Sequence, residues 1–139
     1  MIIVLDTNCL IHILGRNSEH HWLYQAIMEG KIKIALTTEI LNEYEEILNQ
    51  FFESETLGEN ITRLLLNLST TIRKEVYFRW QLMENDPDDN KYVDCAVASN
   101  ADYIISDDNH FKILNNIEFP KVVCVRLEKF REIWDEENI

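Results

Sequence analysis

The sequence has few of the residues that mark fibrous, low-complexity or disulfide-linked chains. Its 139 residues include three glycines and two prolines, which excludes collagen-like and low-complexity proteins. The three cysteines lie far apart and form no C-x-x-C pair, so neither a disulfide framework nor a zinc ribbon is expected. No apolar run approaches the roughly 20 residues that span a bilayer, and the amino-terminal run is too short for a signal peptide. We therefore expect a cytoplasmic protein without membrane association.

Positive charge is also scarce. There are 13 Lys and Arg against 25 Asp and Glu, which leaves a formal net charge of −12. This balance argues against a coat-like nucleic-acid binder that neutralises many phosphates, but it allows an enzyme that touches a nucleic acid locally through metal ions. Hydrophobic residues make up 46% of the chain, enough for a core, so disorder is not expected and the length predicts a single domain over 1–139.

Short apolar runs alternate with amphipathic segments along the chain. The runs predict buried strands, and the segments, with apolar residues every three or four positions, predict helices. In residues 70–84 the alternation of Val76, Phe78 and Trp80 favours a further short strand. Strands alternating with helices predict an α/β fold with a mainly parallel sheet. The other predicted strands are 2–5, 32–36, 102–106 and 121–125, and the predicted helices are 19–29, 39–52, 57–68, one from 88–89 onward, and 127–136.

Carboxylates stand where several of these elements meet one edge of the sheet. Asp6 comes directly after the first strand. Asp107 and Asp108 follow the strand predicted at 102–106, and the helix before that strand opens at Asp88 and Asp89. Because functional residues of open parallel sheets gather at the carboxyl ends of the strands, we expect these side chains to lie close together.

A helix supplies a further carboxylate. Glu43 borders the apolar stripe of the predicted helix 39–52 and is the acidic side chain there best placed to point inward. Carboxylates packed together repel one another, and a divalent cation removes that penalty. Oxygen-rich sites suit Mg²⁺ or Mn²⁺, which can activate a water for phosphodiester hydrolysis. Each carboxylate alone would serve equally well as a helix cap, a turn residue or a solvated group, so the prediction depends on their combination.

Three stretches of the sequence resemble PIN-domain ribonucleases. The opening IIVLDTN is similar to the start of that family, and DPDDNKYVDCAVASNADYIISDDNHF is similar to the second half of its signature. Glu43, in TTEILNEYEEIL, matches the helix glutamate of the family. The resemblance covers nearly the whole chain, and the subgroup most like it comprises the VapC-like toxins of toxin–antitoxin pairs. It implies a three-layer α/β/α sandwich and a Mg²⁺- or Mn²⁺-dependent endoribonuclease.

The resemblance also implies roles for individual residues. Asn8 matches the polar residue of the Asp-x-Asn opening, and Ser106 matches a hydroxyl position beside the metal site. Asp107 stands where the family often has Gly or Arg, so the choice within each of the pairs 88–89 and 107–108 stays open. The four acidic positions, as catalytic residues and metal ligands, carry over as Asp6, Glu43, Asp89 and Asp108.

The resemblance implies partners as well. They are an RNA substrate, an antitoxin protein and a second copy of the chain in a homodimer. In the implied mechanism the aspartates hold one or two metal ions, and Glu43 completes the metal shell or acts as the base on a water. Lys91 and Lys112 lie near the motifs in sequence and could touch RNA, although solvated surface lysines are the default. His110 could reach the site from two residues beyond Asp108.

Two other functions remain open from the sequence. The first is a PIN-like binding module without catalytic activity. The second is a phosphotransfer protein that uses an aspartate after the first strand of a parallel sheet. The dehalogenase type of phosphotransfer needs a second Asp two residues after Asp6, and Asn8 holds that place.

Overall fold

Residues 1–138, which the computed structural model describes, are built on a parallel sheet of five strands. The spatial order is β3-β2-β1-β4-β5, and every neighbouring pair is parallel. Ile3 lies opposite both Ile34 and Tyr103, so β1 occupies the centre of the sheet. The strands are β1 (Ile2–Leu5), β2 (Lys33–Leu36), β3 (Ile72–Arg73), β4 (Tyr103–Ile105) and β5 (Cys124–Val125).

Helices complete a three-layer α/β/α sandwich, as the sequence predicts. Short 3₁₀ segments at Pro87–Asp89 and Asn109–Asn116 lie beside the carboxyl edge of the sheet. Among residues 1–138, no helix is both long and apolar enough to cross a bilayer. The helices are α1 (Thr7–Leu14), α2 (His21–Met28), α3 (Thr38–Phe51), α4 (Leu57–Asn67), α5 (Asn90–Ser99) and α6 (Leu127–Glu137).

The central strand explains why a functional edge forms here. Ile3, Val4 and Leu5 are fully buried, as expected for a strand covered on both faces. The chain then turns directly into α1, because the Asp6 side chain accepts a hydrogen bond from the Cys9 amide (2.8 Å) and caps that helix. A residue at this turn stands at the carboxyl edge of the sheet, where ligands bind in open parallel folds.

The sequence favours a short strand within residues 70–84, and the structure has one, but it lies before the alternating residues Val76, Phe78 and Trp80. The third strand along the chain is Ile72–Arg73, and residues 74–83 have no regular secondary structure. The Lys74 amide still bonds to the Leu36 carbonyl (2.9 Å), but the Trp80 amide bonds to the Asp94 carboxylate (3.0 Å). Because that amide is held by a side chain of α5, it takes no part in a ladder, and the alternating residues follow the surface instead.

The helices α3 and α4 approach each other closely at a glycine. Gly58 lies in the first turn of α4, and its amide donates to the Asn49 side chain (2.7 Å). A Cβ atom added to Gly58 would lie 2.8 Å from the carbonyl carbon of Glu45 and would therefore collide with that backbone group. Glycine is therefore required by helix packing here, although its helix propensity is low.

We expect the Gly58→Ala substitution to destabilise the protein. Overpacking against backbone atoms costs about 1–3 kcal/mol, which outweighs the helix propensity that alanine adds. The matched control is Gly15→Ala, because Gly15 has an ordinary φ of −68° and a Cβ there would lie 3.8 Å from Ser18. Thermal and urea unfolding should show a loss for Gly58→Ala and little change for Gly15→Ala. Equal stability of the two variants would contradict the packing argument.

Candidate active site

Four elements bring carboxylates to one cleft at the carboxyl edge of the sheet. Asp6 follows β1 and Asp108 follows β4. Glu43 reaches in from α3, and Asp89 comes from the 3₁₀ turn before α5. The cleft has a volume of about 210 Å³, and its wall also includes Thr7, Asn8 and Tyr92. The structure therefore brings together the four acidic residues that the resemblance selects.

Asp6 is the most deeply buried of these carboxylates. It is 6% exposed, and it accepts hydrogen bonds from the Cys9 amide and the Ser106 hydroxyl. Burial raises the pKa of Asp6, and the hydrogen bonds from Ser106 and Cys9 offset this only in part. Ser106 Oγ also accepts a hydrogen bond from the Asp108 amide (3.0 Å). The serine thus joins the ends of β1 and β4 and orients both aspartates.

Glu43 has a full set of polar partners. The hydroxyls of Thr7 and Tyr92, which lie 2.6 Å apart, both contact Glu43 Oε2. Lys91 Nζ lies 2.9 Å from Glu43 Oε1. Burial by itself raises the pKa of Glu43, but the hydrogen bonds from Thr7, Tyr92 and Lys91 outweigh it and leave the pKa lowered. Glu43 is therefore an ionised and firmly oriented carboxylate.

Lys91 is not a surface lysine. Its side chain is 12% exposed, and Nζ also donates to the Asp88 carbonyl (2.5 Å). It is held beside Glu43 because α5 begins immediately after the 3₁₀ turn and its first residues face the cleft. The sequence did indicate that Lys91 lies near the site, because it is two residues beyond Asp89 and adjacent to Tyr92, which is buried.

His110 adjoins the cleft, as the sequence analysis allowed, together with Asp86, which the sequence analysis missed. His110 Nδ1 lies 3.1 Å from Asp86 Oδ1, 3.3 Å from Asp108 Oδ1 and 3.7 Å from Asp89 Oδ2. Burial raises the pKa of Asp89, and repulsion from Asp108 and then Asp86 raises it further. Asp86, Asp89 and His110 each offer a ligand atom within 4.8 Å of the others. The spacing of Asp86 and Asp89 was the available signal, because side chains three apart on a 3₁₀ turn share one side.

The alternative aspartates serve other purposes. Asp107 Oδ1 accepts a hydrogen bond from the Leu127 amide (3.1 Å), at the start of α6. Asp88 is exposed and lines a neighbouring groove. Within the two open pairs, Asp89 and Asp108 therefore face the cleft, while Asp88 and Asp107 do not.

Asn90 is the first residue of α5 and follows Asp89 directly. Its side-chain oxygen accepts a hydrogen bond from the Met83 amide (2.9 Å). This contact ties the irregular segment before the 3₁₀ turn to the first residue of α5. Asn90 therefore stabilises the local structure and does not line the cleft.

Comparisons with known proteins agree with this architecture. The family model described as "PIN domain" matches residues 2–110. The solved structure of VapBC2 from Rickettsia felis, bound to a DNA fragment from its promoter, is similar with a TM-score of 0.56 and 17% identity, covering 91% of this chain and 98% of that one. No curated protein sequence matches the chain.

A second solved structure, the T. brucei RRP44 PIN domain, is similar with a TM-score of 0.51 and 17% identity. That match covers 99% of this chain and 82% of the other. At this level of identity both structures show a shared fold. The family model spans most of the chain, and the fold and the acidic edge agree with it, so the chain belongs to the PIN domain family.

Proposed function

We propose that this PIN domain is a Mg²⁺- or Mn²⁺-dependent endoribonuclease and the toxin of a toxin–antitoxin pair. The observation that carries the catalytic part is the convergence of Asp6, Glu43, Asp89 and Asp108 on one cleft. The toxin part and the antitoxin partner draw on the likeness to VapBC2. The homodimer is proposed from the family resemblance alone. The experiments below separate an active enzyme from a PIN-like module that only binds.

The chemistry of the donor set suits a divalent cation. The carboxylate oxygens of Asp6, Asp89 and Asp108, which line one cleft, would hold it directly or through water, and these are the hard ligands that Mg²⁺ and Mn²⁺ prefer. The raised pKa values of Asp6 and Asp89 indicate that burial and neighbouring carboxylates oppose their ionisation, a penalty that a bound cation would remove. When bound, such a cation polarises a phosphate and lowers the pKa of a water.

The residues that surround the carboxylates indicate a role for each of them. Ser106 orients Asp6 and Asp108, and Thr7 and Tyr92 orient Glu43. A carboxylate with a lowered pKa is a weak proton acceptor, so Glu43 is better suited to completing the cation's shell than to acting as a general base. This favours one of the two roles that the family resemblance left for it.

A groove of positive charge supports a polyanionic substrate. It has a volume of about 270 Å³, is lined by Lys112, Arg126 and Lys129, and shares Ser106 and Asp108 with the catalytic side. Three cations beside one another are notable in a chain with a net charge of −12. Phosphates of an RNA backbone would lie there while the adjacent phosphodiester reaches the carboxylates.

We expect Asp108→Asn to lower RNA cleavage by at least about 100-fold, since metal-assisted stabilisation of the transition state is worth several kcal/mol. The measurement is kcat/KM on single-stranded RNA with Mn²⁺ or Mg²⁺, beside an EDTA control. Asp107→Asn is the matched control, because Asn replaces Asp well at a helix start and Asp107 does not line the cleft.

The control should keep nearly full activity. Cleavage that survives both EDTA and Asp108→Asn would indicate a contaminating nuclease. Metal binding without cleavage of any RNA by the wild-type protein would favour the binding module.

We expect Mn²⁺ to stabilise the wild-type protein and to stabilise Asp89→Asn much less. A ligand at about 100 times its Kd adds about 2.7 kcal/mol to the free energy of unfolding, and removal of a ligand should weaken binding by at least about tenfold. Thermal unfolding across a Mn²⁺ titration measures this. Asp88→Asn, which changes the neighbouring exposed carboxylate, should respond like the wild type. Equal responses of both variants would remove Asp89 from the metal site.

The Asp89→Asn variant also tests, in the absence of metal, how the ionisation of Asp89 affects the stability of the fold. Because the pKa of Asp89 is raised from its ordinary value of 3.8, the folded state binds this proton more tightly than the unfolded state does. The contribution of Asp89 to the free energy of unfolding therefore falls as the pH rises above 3.8, and it has fallen fully once the pH exceeds the raised pKa of the folded state. In EDTA, Asp89→Asn should be more stable than the wild type at neutral pH, and this advantage should vanish at low pH.

A further inference from the structure

A histidine and two aspartates lie side by side at the edge of the cleft. His110 Nδ1 is 3.1 Å from Asp86 Oδ1 and 3.7 Å from Asp89 Oδ2. Each of the three residues offers one ligand atom within 4.8 Å of the other two. Asp89 lines the cleft, whereas Asp86 and His110 do not and are partly exposed. The group therefore extends the carboxylates of the cleft towards the solvent.

The backbone of two short turns holds these side chains in place. The Asp89 amide donates to the Asp86 carbonyl (3.0 Å) and so closes the turn that carries both aspartates. The His110 amide donates to Asp108 Oδ1 (2.9 Å), which caps the 3₁₀ segment Asn109–Asn116. Because the two turns lie far apart in the sequence, the packing of the fold brings the imidazole to the aspartates.

Asp86 and Asp89 do not cap helices, although they occupy capping positions. Asp86 precedes the 3₁₀ turn and Asp89 precedes α5, yet neither side chain accepts a hydrogen bond from the turn that follows it. Aspartates at such positions ordinarily do so, as Asp6 and Asp108 do in this structure. Both uncapped carboxylates instead approach His110, so helix capping does not account for them.

One imidazole cannot satisfy the carboxylates around it. His110 Nδ1 carries at most one proton, but oxygens of Asp86, Asp89 and Asp108 all lie within 3.7 Å of it. A proton on Nδ1 donates to one oxygen and leaves the other carboxylates to repel one another. Without that proton, the nitrogen lone pair faces the oxygens as well. A cation among these atoms turns the repulsion into attraction, because every one of them offers it a lone pair.

The distances within the group suit the ligands of a metal ion. Neighbouring ligands about 2.1 Å from an octahedral ion lie about 3 Å apart. The 3.1 Å between Asp86 and His110 matches this separation, and the 3.7 Å between Asp89 and His110 is close to it. Mg²⁺ prefers oxygen ligands, whereas first-row transition ions also bind imidazole nitrogen readily. A nitrogen beside two carboxylates therefore favours Mn²⁺ over Mg²⁺.

We propose that Asp86, Asp89 and His110 form a cation position that takes Mn²⁺ in preference to Mg²⁺, with His110 Nδ1 as its nitrogen ligand. This inference rests on the proposed function and deepens it, because it adds two residues to the four carboxylates of the cleft and selects between the two candidate ions. The position shares Asp89 with the all-oxygen set of the cleft. His110 is the residue that sets the preference.

The test compares matched substitutions of two histidines. His110→Asn keeps a side chain that can donate a hydrogen bond, but it replaces the ring nitrogen with amide groups. The control is His12→Asn, because His12 lies 4.0 Å from Asp107 and lines no part of the cleft. The side chains of His12 and His110 are 55% and 52% exposed, so both variants should fold, and thermal unfolding verifies this. Asp86→Asn tests the carboxylate partner of His110.

Binding of Mn²⁺ is measured on the full chain from the EPR signal of the free ion, with and without an excess of Mg²⁺. The excess of Mg²⁺ competes for the all-oxygen set, so the Mn²⁺ that stays bound reports on the position at His110. We expect the wild type and His12→Asn to retain Mn²⁺. His110→Asn and Asp86→Asn should each raise the Kd for Mn²⁺ at least about tenfold. His110→Asn should change the Kd for Mg²⁺ by less than about threefold, because Mg²⁺ depends on oxygen ligands.

Pulsed EPR of the bound Mn²⁺ identifies the ligand directly. A coordinated imidazole nitrogen modulates the electron spin echo, and a carboxylate oxygen does not. We expect this nitrogen modulation in the wild type and in His12→Asn, and we expect its loss in His110→Asn. The readout requires no RNA cleavage, and a purely structural role of His110 would not produce it.

Two results overturn the proposal. Bound Mn²⁺ without nitrogen modulation in the wild type, or complete displacement of Mn²⁺ by Mg²⁺, would reject the position at His110 alone and leave the carboxylate cleft as proposed. A wild-type protein that binds neither Mn²⁺ nor Mg²⁺ would reject the metal dependence of the proposed function, and the position at His110 with it.

Discussion

The hydrogen bonds of Asp6 join the fold to the site, and most of the cleft depends on them. One carboxylate oxygen caps α1 through the Cys9 amide and so sets the turn that ends the central strand. The other accepts from Ser106, at the end of the neighbouring strand, whose oxygen accepts from the Asp108 amide. A single buried carboxylate therefore defines a helix start, the alignment of two strand ends and the placement of a second aspartate.

The electrostatics of the cleft follow from how few cations reach it. Lys91 neutralises Glu43, which keeps a lowered pKa, while Asp6 and Asp89 have raised pKa values because burial outweighs the stabilisation they receive. Near Asp89, His110 is the group that the structure places among three carboxylates. Burial and mutual repulsion thus make the ionisation of Asp6 and Asp89 less favourable in the folded protein than in the unfolded chain.

Features that depend on residues close together in the sequence could be predicted from the sequence. The fully apolar β1, the amphipathic stripe of α3 and the carboxylates that follow strands predicted a parallel α/β fold and the acidic residues of the cleft. These features depend on residues a few positions apart, and the same local physics creates them in any chain. The strand favoured within residues 70–84 forms at Ile72–Arg73 and not at the alternating residues 76–80, because the Trp80 amide is held by the Asp94 side chain of α5.

The sequence by itself therefore determined the architecture and the kind of chemistry, through hydrophobic periodicity and the positions of acidic residues. The family resemblance already selected Asp89 and Asp108. Only the tertiary structure shows that these two face the cleft while Asp88 and Asp107 do not, that Asp86 adjoins it, and that Lys91 packs against Glu43. The reason is geometric. Neighbouring residues in a turn point in different directions, and which of them meets a side chain from a distant element depends on the packing of the whole sheet edge.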